Sequence, residues 1–371
     1  MMSSKVYMAD LRTTHKNNLF AKLGRLLECL GLEERIESGY LTAIKLHFGE
    51  EGNVSFIRPV LVRPVVEMLR KLEARPFVTD TNTLYVGSRS DAVGHLETAI
   101  RHGFNFPVLG APVLIADGLK GNSVRRVEIG LKHFKEVKIA AEIHNADALV
   151  VLSHFKGHEL TGFGGALKNL GMGCAGREGK LAQHSNISPK VVRKRCVGCG
   201  HCLEWCPAGA IRIDRELGKA VIDNEQCVGC GECIVVCPQK AVNIRWNETV
   251  PVFQEKMMEY AYGACHGKRE RCFFINFVLQ VSPACDCYGH NDMPVVADIG
   301  ILASRDPVAL DQACADLVVA APGMAGSVLG EQLAPGSDKF RTVYPEIEWR
   351  SQLAYAAKIG LGSRSYELER I

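Results

Sequence analysis

No apolar stretch in this chain approaches the roughly 18 uncharged residues that a membrane-spanning helix needs, so no bilayer span is expected. Charge of one sign is equally scarce. Forty-four Lys and Arg against 41 Asp and Glu leave a formal net charge of +3. No basic stripe is interleaved with aromatics, which argues against a nucleic-acid partner. Residues 1–10 lack the charged-then-apolar layout of a secretory leader, and no low-complexity linker divides the chain. What remains is ordinary globular composition, 47% hydrophobic and 23% charged. A chain of 371 residues can bury a sizeable core. Cysteine is the exception to this plainness, with 15 residues. Eight of them sit in a pattern that works only as reduced thiolates, so a cytoplasmic, reducing setting is expected.

The first 150 residues alternate short apolar runs (6–8, 41–46, 77–79, 113–116, 148–152) with helical periodicity around 20–30 and 65–72. Such alternation predicts an α/β fold, a mostly parallel sheet flanked by helices. After a cysteine-dense segment the same texture returns. Helix is expected over 252–262, 308–319 and 349–359, and strand over 273–281 and 294–302. Asp306-Pro307 is a helix-start signal, a capping side chain followed by a first-turn proline, and Gly323 would end that helix. The predicted organisation is one discontinuous α/β domain, 1–189 and 246–371, with a small α+β module inserted at 190–245.

That module contains a duplication. Cys196, Cys199, Cys202 and Cys206-Pro207 repeat as Cys227, Cys230, Cys233 and Cys237-Pro238, each run reading C-x2-C-x2-C-x3-C-P. Three closely spaced thiolates wrap one iron–sulfur cubane while the fourth cysteine crosses to the other. One 4Fe-4S cluster is therefore assigned to Cys196, Cys199, Cys202 and Cys237, and a second to Cys227, Cys230, Cys233 and Cys206. The runs 210–213 and 241–244 would supply short strands shielding each cluster. Zinc knuckles also use paired C-x2-C, but they need neither the third and fourth cysteines nor the prolines. The segment resembles two-cluster bacterial ferredoxins. Lys190, Arg193, Lys194 and Arg195 precede the first ligand and would attract an acidic redox partner protein, or simply form a solvated turn.

Ahead of the module lies a glycine-rich loop, with eight glycines between Gly157 and Lys180, following the buried-strand run 148–152. Its place beyond a strand's carboxyl end suits a ligand site. Glycines free backbone amides for an anion, and Lys156, Lys168, Arg177 and Lys180 add positive charge. His154, His158 and His184 offer proton transfer or metal ligation. Neither nucleotide motif fits: Leu167 replaces the last glycine of G-x-G-x-x-G, and Leu181 follows Gly179-Lys180. Lys45 and His47 end another strand and are expected on opposite faces of it. Asp80-Thr81-Asn82-Thr83 ends a third and reads as a cap or a ligand site. Cys285-Asp286-Cys287 is a weak candidate for a third metal or redox site, because both thiols could act together only if the chain turns there. Cys174 and the other cysteines read as buried or idle thiols.

Three stretches resemble domain-of-unknown-function family 362. These are Leu149-Val150-Val151-Leu152-Ser153-His154-Phe155-Lys156-Gly157-His158, then Gly165-Ala166-Leu167-Lys168-Asn169 with Gly171 and Lys180, and Ser304 to Asp311. The resemblance implies an α/β domain with Lys156, His158, Lys168, Asn169, Lys180, His184 and Asp311 near one site, and implies no reaction. Joined to the cluster motif, these residues lead to an iron–sulfur oxidoreductase as the expected function. Lys45, His47, Lys156, Asn169, Lys180 and Asp311 would bind a small anionic ligand, a metal or a cofactor, and His158, His184 and Lys168 would act on it. The alternatives are a non-catalytic electron carrier that recognises a protein partner, and a non-redox acid–base enzyme with structural clusters.

Overall fold

The computed structural model describes residues 3–185, 188–245 and 247–371. The expected domain bounds at 1 and 246 fall outside these residues. The centre of the molecule is an eight-stranded sheet. Its strands are β1 (Ser4–Ala9), β2 (Leu41–Lys45), β3 (Arg75–Asp80), β4 (Val113–Ile115), β5 (Ala148–His154), β6 (Cys272–Val278), β7 (Gly300–Ser304) and β8 (Tyr366–Arg370), in the order β8-β1-β7-β6-β5-β2-β3-β4. The pairs β1–β8, β5–β6, β2–β5, β2–β3 and β3–β4 are parallel. Only β7 runs against its neighbours β1 and β6. The fold is α/β with a mostly parallel sheet.

Burial explains why the central strands read as unbroken apolar runs. Every residue of β5 (ALVVLSH) and β6 (CFFINFV) is buried, because helices cover both faces. Leu149 and Val151 point into one core, and Val150 and Leu152 into the other. Helices α1 (Leu19–Cys29) and α2 (Arg63–Lys71) pack on the second of these cores. The first is covered by α3 (Ala166–Gly171), α5 (Val250–Ala264), α6 (Pro307–Ala320) and α7 (Arg350–Lys358), with α4 (Arg177–His184) against α5.

Asp306 caps α6, its carboxylate accepting from Val308 N and Ala309 N. The helix stops at Ala320, short of Gly323, since Ala321 precedes a proline and is pushed into extended backbone. Of the apolar run 294–302 only the part from Gly300 onward joins the sheet. A hairpin of Val124–Glu128 with Glu136–Ala140 was not expected. Its strands are only five residues long, and the first, with Arg125 and Arg126 adjacent, does not alternate, so the signal is weak.

Between α4 and α5 the chain forms a small cysteine-rich unit. Ile211–Asp214 pairs with Lys219–Ile222, and Lys190–Val191 with Val242–Asn243, each antiparallel. One-turn helices His201–Glu204 and Glu232–Val235 carry the middle cysteines. Its apolar centre, including Ile211, Ile234 and Val242, is completed by Leu84 and Leu181 from the α/β unit.

Candidate functional site

The parallel strands β2, β3 and β5 end side by side, and beyond their carboxyl ends opens a cavity of about 540 Å³. This is the usual ligand position in open α/β sheets. Register sets the first residues of its wall. Lys45, opposite Thr79 and Val151 in the ladder, is 0% exposed and its ammonium meets Asp80 Oδ1 at 2.8 Å and Asn169 Oδ1 at 2.7 Å. Burial opposes ionisation of Asp80, but Lys45 and His95 outweigh it and hold the carboxyl well below its ordinary range. The Asn169 amide donates to Leu152 O at 2.9 Å, tying α3 to the end of β5. Arg89 completes this corner, 3.1 Å from Glu50 Oε2. His47 lines the same cavity as Lys45. The expectation of opposite faces is corrected: residues two apart on extended chain share a face. The His47 Nδ1 accepts from Gly49 N at 2.9 Å, and burial keeps the ring neutral.

A second corner gathers around Asp286. His154 Nδ1 lies 2.9 Å and Lys156 Nζ 3.2 Å from its carboxylate. His154 Nε2 faces Leu279 O at 2.9 Å, so the ring is held between two acceptors. Lys156 is thereby neutralised inside the wall. His158 is different: its Nδ1 accepts from Leu160 N at 3.1 Å, placing the ring proton on Nε2. Burial, with Lys168 and Lys156 nearby, depresses its pKa well below the ordinary value. His184 stacks on Phe253 at 4.6 Å, and burial brings its pKa down to about 3. Both rings are neutral near pH 7, so neither is a ready acid.

Lys168 and Lys180 have softer partners. The Lys168 ammonium donates to Cys285 Sγ at 3.3 Å. Burial disfavours its charge, but the Cys285 and Cys287 sulfurs raise its pKa above the ordinary lysine value. Lys180 donates to Thr81 Oγ1 at 2.6 Å and Ala175 O at 2.5 Å, and burial lowers its pKa to about 8. It is the group in the wall best matched to proton exchange near neutrality.

Two expected site residues lie elsewhere. Asp311 does not line the cavity. Its carboxylate accepts from Ala166 N at 2.8 Å, Leu167 N at 2.9 Å and Asn276 Nδ2 at 2.7 Å, anchoring the start of α3 beneath Lys168 and Asn169. A Cβ on Gly165 would meet Asp311 Oδ1 at 2.3 Å, so only glycine fits there. Arg177, expected to add charge to the loop, turns away from the cavity toward the cysteine-rich unit. Cys174 is fully buried with its pKa pushed up to about 12 by burial, a core thiol. Missed by the sequence reading were Tyr85, Arg89, Glu159 and Tyr288, which line the cavity from loops with no motif of their own.

The eight repeat cysteines gather into two hollows. One is lined by Cys196, Cys199, Cys202 and Cys237, the other by Cys206, Cys227, Cys230 and Cys233. Backbone N–H groups of Ala220, Ala210 and Ala241 donate to the sulfurs of Cys196, Cys206 and Cys237 at 3.4, 3.3 and 3.2 Å. Four cysteines with amide donors to sulfur suit a cubane, which takes one thiolate per iron. Among the described residues no three His, Cys, Asp or Glu side chains form a group for a single metal ion, Cys285 and Cys287 included.

The second hollow abuts the cavity wall. Gly231, at φ +74°, has Arg177 Cγ at 3.2 Å and Leu84 Cδ1 at 3.7 Å from where its Cβ would stand. Leu84 lines the cavity on its other side. The first hollow faces outward, with Cys199 exposed and Lys190, Arg193, Lys194 and Arg195 exposed beside it.

Fold and site together define an α/β protein with a cavity at the strand ends, into which several charged side chains are set, and a cysteine-rich unit against its wall. The family model described as "Domain of unknown function (DUF362)" matches residues 42–316, and the chain belongs to that family. No curated protein matches the sequence. Two solved structures are similar at low level. One is the lactate racemase apoprotein from Thermoanaerobacterium thermosaccharolyticum, at 14% identity and TM-score 0.36, covering 74% of this chain and 51% of that one. The other is a structural-genomics protein from Thermotoga maritima, at 13% identity and TM-score 0.40, covering 83% of this chain and 59% of that one. The chain thus spans just over half the length of either.

Proposed function

We propose that this protein is an iron–sulfur oxidoreductase that holds two 4Fe-4S clusters and delivers electrons to a small anionic ligand, or a bound metal or cofactor, in the cavity at the strand ends. The observation that carries the reading is the sorting of eight cysteines into two four-cysteine hollows, the second separated from the cavity by Leu84. Each cluster, when bound, supplies a one-electron carrier. Cys196, Cys199, Cys202 and Cys237 would hold the outer one, and Cys206, Cys227, Cys230 and Cys233 the inner one. The exposed basic residues around Arg193 would receive an acidic redox partner.

In the cavity the chain's own residues divide the work. The Lys45–Asp80 and Lys156–Asp286 pairs are internally neutral and shape the wall, leaving Lys180, held by neutral oxygens, to meet a negative ligand. Lys180 exchanges the proton that accompanies reduction, in the place first expected of His158 or His184.

The test is anaerobic purification followed by iron and sulfide analysis and EPR of the dithionite-reduced protein. About eight irons per chain, four for each cubane, with spin-coupled signals are expected. Cys196→Ser and Cys227→Ser should each remove one cluster's signal. Zinc in place of iron, or an EPR-silent reduced protein, would overturn the reading.

A further inference from the structure

The segment 282–288 holds two cysteines that the cluster motif does not use. Tyr288 N donates to Cys285 O at 3.1 Å, closing a turn that brings Cys285 and Cys287 onto one side. Cys287 N donates to Cys285 Sγ at 3.4 Å, which sets the second cysteine against the first one's sulfur. Cys285 is 1% exposed, whereas Cys287 opens on the cavity.

The turn is gripped from several sides. Asp286, between the cysteines, is locked by His154 and Lys156. Gly157 N donates to Ser282 O at 2.8 Å, and a Cβ on Gly157 would stand 2.0 Å from Pro283 O, so the glycine loop lies directly on this backbone. The Tyr85 hydroxyl donates to Cys287 O at 2.8 Å. Tyr85 follows Leu84, whose side chain packs against Gly231 of the inner hollow. A short path of one side-chain contact, the Leu84–Tyr85 chain and one hydrogen bond therefore joins that hollow to the cysteine pair.

The two sulfurs are unlike. Cys285 is drawn well below the ordinary thiol pKa by the Cys287 hydrogen bond and, against burial, by Lys168 and Lys156. Cys287 is pushed well above it by the same shared bond and by burial. One thiolate beside one thiol is the reduced arrangement of a dithiol couple. A disulfide closed over one intervening residue is strained and correspondingly easy to reduce.

We propose that Cys285 and Cys287 are a redox-active pair that cycles between dithiol and intramolecular disulfide, and that it accepts electrons from the iron–sulfur clusters in the wall of the cavity. The acceptor role rests on the two-cluster reading above. The step balances as follows: the S–S bond breaks, two single electrons enter from the reduced clusters, one proton goes to the Cys287 sulfur, and the Cys285 sulfur stays a thiolate beside Lys168. The pair would thus convert one-electron supply into two-electron delivery at the cavity.

The experiment uses the anaerobically purified full chain with its clusters. After diamide treatment and alkylation, the chymotryptic peptide spanning both cysteines should be unalkylated and lighter by two hydrogens. In a coulometric titration the diamide-treated wild type should take up two electrons more than Cys285→Ser or Cys287→Ser, while cluster EPR is the same in all three. If the clusters reduce but both sulfurs remain alkylatable after diamide, the pair proposal falls and the cluster reading stands. A bridge that only added dithiothreitol opens, with no extra electrons counted, overturns the acceptor role. A protein without iron fails the cluster reading and the acceptor role with it, and the diamide arm then reports separately on the thiols.

Discussion

Lys45 and Lys156 face the buried carboxylates of Asp80 and Asp286, and Lys168 faces a cysteine sulfur, but Lys180 is held by neutral oxygens. That difference has a measurable consequence. Burial lowers the Lys180 pKa to about 8, although Asp117 and Asp80 pull it upward. Its acetylation by trace acetic anhydride should be half-maximal near that pH, while surface lysines follow at their ordinary, higher value. Mass spectrometry of the labelled protein against pH reads this directly, and a Lys180 profile matching the surface lysines would refute it. The unfolded chain keeps this proton to the ordinary lysine value, so above about pH 8 it binds more protons than the native state. Lys180 therefore opposes folding below about pH 8, and the penalty lifts as pH rises toward the ordinary value. Composition alone could mark Lys180 as a basic loop residue. Its softened charge comes from burial by stretches distant in the chain, which was not legible in the sequence.

At the scale of single elements, α3 carries Lys168 and Asn169 but is only six residues long, too short to hold itself. Asp311 holds it, accepting two of its orphan amides and the Asn276 side chain. Asp311→Ala would leave these three buried donors unsatisfied, at about 1–3 kcal/mol for each group that finds no new partner. A loss of about 2–5 kcal/mol in chemical denaturation is expected. Asp311→Asn, which keeps one acceptor oxygen, should lose less. Equal stability of wild type and Asp311→Ala would refute the anchoring role. The contrast with Asp306 is instructive. Asp306 caps its own helix, two and three residues away, and the Asp-Pro pair was legible. Asp311 caps a helix some 145 positions earlier in the chain, so no local pattern announces it.

For the whole molecule, the cysteine-rich unit has a thin apolar centre and borrows Leu84 and Leu181 to close it. Ligand binding that exists only in the folded state is folding free energy. If the unit holds the two clusters proposed for it, removing them with a chelator and an oxidant should therefore release hydrogen-exchange protection across 190–245 and around Leu84 and Leu181. Strands β5 and β6, buried on both faces, should keep theirs. Uniform protection before and after that treatment would mean that the unit is stable without any bound cluster.

The sequence alone determined the elements and the groupings of residues that lie within short spans. Apolar runs announced β5 and β6, Asp306-Pro307 announced α6, and cysteine spacing alone paired the eight thiols as they gather in the two hollows. Each of these signals is local because strands, caps and cluster loops are built from neighbouring residues. Tertiary structure decided what those spans face. It buried Lys45 against Asp80, turned Arg177 from the cavity to Gly231, moved Asp311 beneath α3, and closed the turn that sets Cys285 beside Cys287. Charges and thiols act through whatever surrounds them in space. In a mostly parallel sheet, neighbours at one strand end come from stretches of chain tens to hundreds of residues apart.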